Sequence, residues 1–220
     1  MTVLVPETAA WPRQLADLET SAPDRMWVAG TGELRLLALR SVAIVGARNA
    51  TVYGVTTAGT LAAELTEAGW LVVSGAAFGI DSAAHRGALA AGGATIAVMA
   101  GGVDVPVPRS HAPLLERIRD QGLIVSEYPP GTLPRKSAFL QRNRLIAALT
   151  RATIVVEAGT RSGALNTADW AQAMGRPVLA VPGPASSPMS RGTHRLIREG
   201  VATLIQDATE VITALERTSP

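Results

Sequence analysis

The chain predicts an α/β fold, a doubly wound and mostly parallel sheet with helices on both faces. Two observations carry that expectation. Short apolar runs such as Val42-Ala43-Ile44-Val45 and Trp70-Leu71-Val72-Val73 recur along the chain and end at Gly46 and at Ser74-Gly75. Longer alanine-rich stretches with helical spacing separate them. Strands with no polar alternation are buried on both faces, which is the mark of a parallel sheet covered by crossover helices. The 220 residues, 47% of them hydrophobic, suffice for one sizeable core and fit a single domain.

Residues 1–10 read as a loose lead-in, 11–18 as a short helix ending before Pro23, and 25–30 as a short strand closed by Gly30. Residues 1–40 are therefore expected to pack as a lead-in on a core formed by 41–220. In that core the pattern predicts strands at 42–45, 70–73, 94–99, 123–126, 153–156, 177–181 and 202–205. Helices are expected at 51–68, 82–91, 112–121, 138–149, 163–174, around 195–198, and at 208–215. No internal repeat interrupts the series, and the alternation is Rossmann-like.

Composition narrows the chemistry. With no cysteine, disulfide and thiolate chemistry are excluded, and His85, His111 and His194 lack metal-site spacing. No metal and no cofactor is expected. No apolar run approaches the ~20 residues that span a bilayer, and no signal pattern opens the chain, so the expected location is the cytoplasm, with no membrane partner. Net charge is +2, which is compatible with an acidic partner without implying one.

In open parallel sheets ligands bind beyond the carboxyl ends of the strands. Here those ends carry Gly46-Ala47-Arg48, Ser74 to Gly79, Ala100-Gly101-Gly102, the loop leading to Lys136, and Glu157 to Gly163. Gly46 and Arg48 suit a phosphate approached by backbone and held by one guanidinium; they equally suit a tight turn with an exposed arginine. The G-x-G-x-x-G dinucleotide fingerprint is absent, and no acidic residue ends the second core strand to hold a ribose. Asp81 reads as an N-cap, with His85 four residues on and on the same face. No nucleophile completes an acid–base set, so the pair reads as fixing its turn.

The stretch 133–144 is the most informative. Lys136 is the only lysine in the chain, Phe139 one of two phenylalanines, and Arg142, Asn143 and Arg144 follow. Cations at a helix start oppose its dipole unless an anion sits there. A cation beside a ring suits a nucleotide, with phosphate on one and base on the other. A solvated basic face with Phe139 plugging the core fits the stretch equally well.

The ordered series Gly46-Ala47-Arg48, Ser74-Gly75-x-Ala77-x-Gly79-Ile80-Asp81, Phe139-x-x-Arg142-Asn143-Arg144, Val156-Glu157-Ala158, Ser162-Gly163 and Val181-Pro182-Gly183 resembles the DNA-processing protein A (DprA/Smf) family. The resemblance runs from about Trp11 to the C-terminus. It implies an extended Rossmann core that binds single-stranded DNA during natural transformation, loads RecA and forms a homodimer. Carried over, it places DNA contacts on Arg48, Lys136, Phe139, Arg142 and Asn143, with Gly46 in the first turn and Gly163 as a further candidate. Ala47, Leu140 and Ala164 depart from the family's usual serine or threonine, proline and serine. The length leaves room for the core without the helical N-terminal and winged-helix C-terminal domains of many relatives, as expected of a minimal member or an excised core. A binding protein, not an enzyme, is expected. The alternatives are a nucleotide sensor and a LOG-like phosphoribohydrolase, for which Glu157 is the one candidate carboxylate.

Overall fold

The computed structural model describes residues 1–217. Its centre is a nine-stranded sheet in the order β1-β2-β6-β5-β4-β3-β7-β8-β9. The strands are β1 (Thr2–Leu4), β2 (Met26–Gly30), β3 (Ser41–Val45), β4 (Leu71–Ser74), β5 (Thr95–Val98), β6 (Leu123–Ser126), β7 (Thr153–Val155), β8 (Val178–Ala180) and β9 (Thr203–Leu204). From β3 to β9 every pairing is parallel, while β2 joins β6 antiparallel and β1 joins β2 antiparallel. The doubly wound, mostly parallel architecture is thus present. β3, β4, β5 and β6 are buried at every position, as their unbroken apolar or small residues require.

The helices are α1 (Leu34–Leu39), α2 (Val52–Glu67), α3 (Ile80–Ala90), α4 (Ala112–Gln121), α5 (Lys136–Leu149), α6 (Gly163–Ala173), α7 (Arg191–Arg198) and α8 (Ala208–Arg217). Leu145, Ile146 and Leu149 of α5 and Leu165 of α6 pack with Val45, Val73 and Val98 on one face of the sheet. Leu61 and Leu65 of α2, Ile80 of α3 and Val211 of α8 pack with Ile44, Val72 and Ile154 on the other. Successive strand residues point to opposite faces, so β3, β4, β7 and β8 feed both cores, while β5 and β6 place Ala97 and Ile124 in a third cluster with Leu114, Leu115 and Ile118 of α4.

Three local expectations change. Residues 1–10 are not wholly a loose lead-in: Val3 pairs with Trp27, and β1 and β2 extend the sheet beyond β6. A three-residue strand carries too little pattern to be seen without its partner. Helix α1 was not expected, and its single turn-and-a-half is too short for a periodic signal. The expected helix at 11–18 is a 3-10 segment, Arg13–Ser21.

From β3 the chain winds outward through β4 and β5 to β6, and α5 then carries it back across the sheet to β7, beside β3. The winding direction therefore reverses between β3 and β7. The helices that follow those two strands, α2 and α6, lie on opposite faces, which opens a crevice at the strands' carboxyl ends.

Candidate nucleic-acid interface

A cavity of about 730 Å³ occupies that crevice, lined by residues from the β3 turn, the start of α3, α5, and the turn between β7 and α6. Each wall has a local cause. Gly46 passes so close to the Ile80 side chain and the Glu157 carbonyl that a Cβ there would lie 2.5 Å from Ile80 and 2.8 Å from that oxygen. The Ala47 N–H donates to the Glu157 carbonyl at 2.7 Å, which ties the β3 turn to the β7 turn. The Glu157 carboxylate is buried and points away, accepting from the Thr51 N–H at 2.9 Å and the Thr51 hydroxyl at 2.6 Å.

On the open side Arg48 is exposed and its guanidinium carbon lies 4.7 Å from the centre of the Phe139 ring. Lys136 is exposed at the same margin. It is the first residue of α5, two residues earlier than the sequence predicts, because extended Arg135 (φ −94°, ψ 160°) lets the helix begin at once after Pro134. No side chain caps this end, and its first turn holds no acidic residue. The Ala138 N–H donates to the Arg135 carbonyl at 3.0 Å, so the N–H groups of Lys136 and Ser137 are the ones left without helical partners by construction. Cation, ring and N–H donors therefore face one opening.

Beneath the cavity lie a buried guanidinium and a buried carboxylate, Arg142 and Asp81, each within the other's electrostatic field. Arg142 is 3% exposed, donates to the Val98 carbonyl, and passes Gly75 so closely that a Cβ at that position would overlap its guanidinium. Burial pulls Arg142 down to about 10, partly offset by Asp81, and Arg48 lowers it further. Asp81 does not cap α3, contrary to expectation. Gly79, at φ +73° and pressed against the Ala47 and Arg48 carbonyls, is the N-cap, and Asp81 sits in the first turn. Its carboxylate accepts from the Gly75 and Ala77 N–H groups at 3.2 and 3.3 Å. Burial raises its pKa against the opposing pull of Arg142 and those N–H groups. Asp81 thus holds the β4 turn in shape, and Arg142 packs against it at Gly75.

His85 is fully buried, its Nδ1 2.8 Å from the Thr95 hydroxyl, which itself donates to the Val72 carbonyl. The hydroxyl proton being committed, His85 carries its proton on Nδ1 and donates it. Burial, with Arg142 and His111 nearby, lowers its pKa to about 3, so it stays neutral.

The residues singled out in the sequence thus fall into two groups. Arg48, Lys136 and Phe139 reach the cavity from its margin, and exposed Gly163 lines it at the start of α6. Arg142 and Asn143 form its floor: Asn143 is 8% exposed and donates from Nδ2 to the Gly163 carbonyl at 3.1 Å. Gly46 shapes the turn. Arg144 turns away into a two-pronged pair with Glu127, at 2.8 and 2.6 Å, and bonds the Ser21 carbonyl. Asn49 and Arg161 also face the cavity. The glycine-rich turn around Arg161 is visible in the sequence, but only the fold selects that side chain, and nothing in the sequence marks Asn49.

The family model described as DNA recombination-mediator protein A matches residues 2–216. A curated relative from Mycobacterium tuberculosis bearing the DprA name is 52% identical over 191 residues, which are 87% of this chain and 49% of that protein. The chain spans about half the length of the curated relatives it matches. Among solved structures, DprA from Streptococcus pneumoniae is similar at TM-score 0.90 and 38% identity, over 96% of this chain and 73% of that one. DprA from Helicobacter pylori, described for its single-stranded DNA binding mode, is similar at TM-score 0.86 and 31% identity, over 100% and 98%. With matches of that extent, this chain belongs to the DNA recombination-mediator protein A (DprA/Smf) family.

Proposed function

We propose that the chain binds single-stranded DNA in the crevice between the carboxyl ends of β3 and β7. The observation that carries this reading is the Arg48 guanidinium over the Phe139 ring, with exposed Lys136 beside them. Arg48 and Lys136 supply phosphate contacts, and the uncapped start of α5 adds N–H donors. A base stacks on Phe139 or on the guanidinium plane over it, and either arrangement is indifferent to base identity. Arg142 contributes positive potential from below and fixes the β4 turn, while Asn143 fixes the Gly163 turn. Duplex binds less well because its bases are closed to the ring.

The binding reading is favoured over an enzymatic one by the position of the carboxylates. Glu157 is spent on Thr51 outside the cavity lining, and Asp81 is spent on the β4 turn and Arg142. Neither is left free as one of the paired carboxylates that sugar hydrolysis needs. At the level of the cell, the proposal is a cytoplasmic DprA-type protein that protects incoming strands, loads RecA and works as a homodimer.

Fluorescence anisotropy with oligo-dT tests the site. Phe139→Ala is expected to weaken binding by about fivefold or more, since stacking is worth ~1–3 kcal/mol per base, Lys136→Ala is expected to weaken it through a lost phosphate contact and to flatten its salt dependence, and wild-type affinity should fall as salt rises. Wild-type affinity in both variants removes this cavity from the account. Calorimetry with mononucleotides separates the alternatives: saturable binding favours a sensor, and release of free base favours a hydrolase.

A further inference from the structure

Phe78, the other phenylalanine, stands outside the cavity and is unused by the site described above. It is a large apolar side chain left 50% exposed on the turn after β4, the strand beside β3. Its backbone is held there by two residues in the left-handed region, Ala76 at φ 55° and Gly79 at φ 73°. Ala76 is not a glycine, so the fold maintains a conformation that side chains disfavour, a feature that clusters at binding sites. The ring itself is fixed. It meets the His111 imidazole edge-on at 4.8 Å and 71°, and His111, 5% exposed, donates from Nδ1 to the Ala76 carbonyl at 3.0 Å. An exposed ring whose orientation is already set loses little freedom on stacking.

Its neighbours continue the pattern of the cavity. Gly79 packs on the Arg48 carbonyl, which couples the Phe78 turn rigidly to the Arg48 turn. On the other side, exposed Arg109 lies in the 3-10 turn Arg109–His111, at the rim beyond β5. Along the carboxyl rim the order is therefore Lys136 with Phe139, Arg48, Phe78, Arg109, with cations and rings in alternation. That order is what an extended strand requires, one phosphate and one base after another.

We propose that Phe78 is a second base-stacking platform, which extends the single-strand path from the cavity across the ends of β4 and β5, with Arg109 as its phosphate contact. This rests on the cavity being a single-stranded DNA site. It makes the ligand a polynucleotide rather than a mononucleotide, because each ring takes a base of its own.

The test is anisotropy against a series of dT oligonucleotides, starting from the shortest that saturates the wild-type protein. Phe78→Ala should bind that shortest strand like wild type but bind longer strands about five- to tenfold more weakly. Phe78→Trp should restore the gain with length and show tryptophan quenching by long strands only. Phe139→Ala should lose affinity at every length. If Phe78→Ala matches wild type throughout, or weakens the shortest strand equally, the second platform is overturned while the cavity stands. If wild type binds no strand at any length, the cavity reading falls and this one with it.

Discussion

The two ends of α5 answer the same electrostatic problem in opposite ways. At the C-terminus, Arg176 reaches over from the start of β8, and its Nη1 donates to the carbonyls of Ala147, Ala148 and Thr150. Its Nη2 pairs with Asp17 at 2.6 Å. A cation there satisfies orphan carbonyls and complements the negative end of the helix dipole. At the N-terminus, Arg135 and Lys136 stand at the positive end with no cap and no acid. One end is completed by the protein, and the other is left for an anion from outside. Local stability explains the first arrangement and opposes the second, which is why the second points to a ligand.

The contrast can be broken from below. Arg142→Met should cost up to about 3 kcal/mol in urea denaturation, because the buried Val98 carbonyl would lose its charged donor and Asp81 a favourable neighbouring charge; a loss under about 1 kcal/mol would mean the guanidinium does not hold the floor. At the finished end, Arg176→Ala should cost about 3 kcal/mol, three carbonyls and Asp17 losing their donor together, while strand binding stays unchanged when measured well below the melting temperature.

The acid limb gives a smaller effect. The folded pKa of His85 is lowered from 6.5 to about 3, so its contribution is present above 6.5 and lost as pH falls toward about 3. The slope is about 1.4 kcal/mol per pH unit, or about 2 kcal/mol by pH ~5. Asp81 acts oppositely: its pKa is raised by burial, so its protonation in the folded state restores part of the loss on acidification. His85→Gln should flatten the limb in a pH series of unfolding midpoints; an unchanged limb would place the acid sensitivity elsewhere. The smallest expected effect is the most diagnostic. Lys136→Glu should raise stability by about 0.3–1 kcal/mol through the helix dipole while it weakens strand binding. A loss of stability in that variant would show the lysine to be structural.

Most of the core's order was legible beforehand because buried parallel strands need unbroken apolar runs, and the runs at 42–45, 70–73 and 123–126 could be little else. The cluster around Lys136 was legible for a different reason: it violates helix electrostatics, and violations stand out. Asp81 was misplaced by its local pattern, since the contact that makes Gly79 the cap comes from the Ala47 and Arg48 carbonyls of another turn. Arg142, Asn143 and Arg144 are consecutive and look alike in the sequence, yet one is buried under the cavity, one braces Gly163 and one pairs with Glu127.

Periodicity and residue chemistry alone therefore settled that the sheet is wound twice, that its rim is glycine-rich and that a lone lysine and a ring share one helix entrance, because each is a property of neighbours along the chain. Which side chains reach the crevice, which hold it from behind, and that Phe78 stands against His111 while Gly79 packs on the Arg48 carbonyl were settled by the folded molecule. Those relations join residues from different strands, and the crossing of α5 from β6 back to β7 is what brings them to one edge.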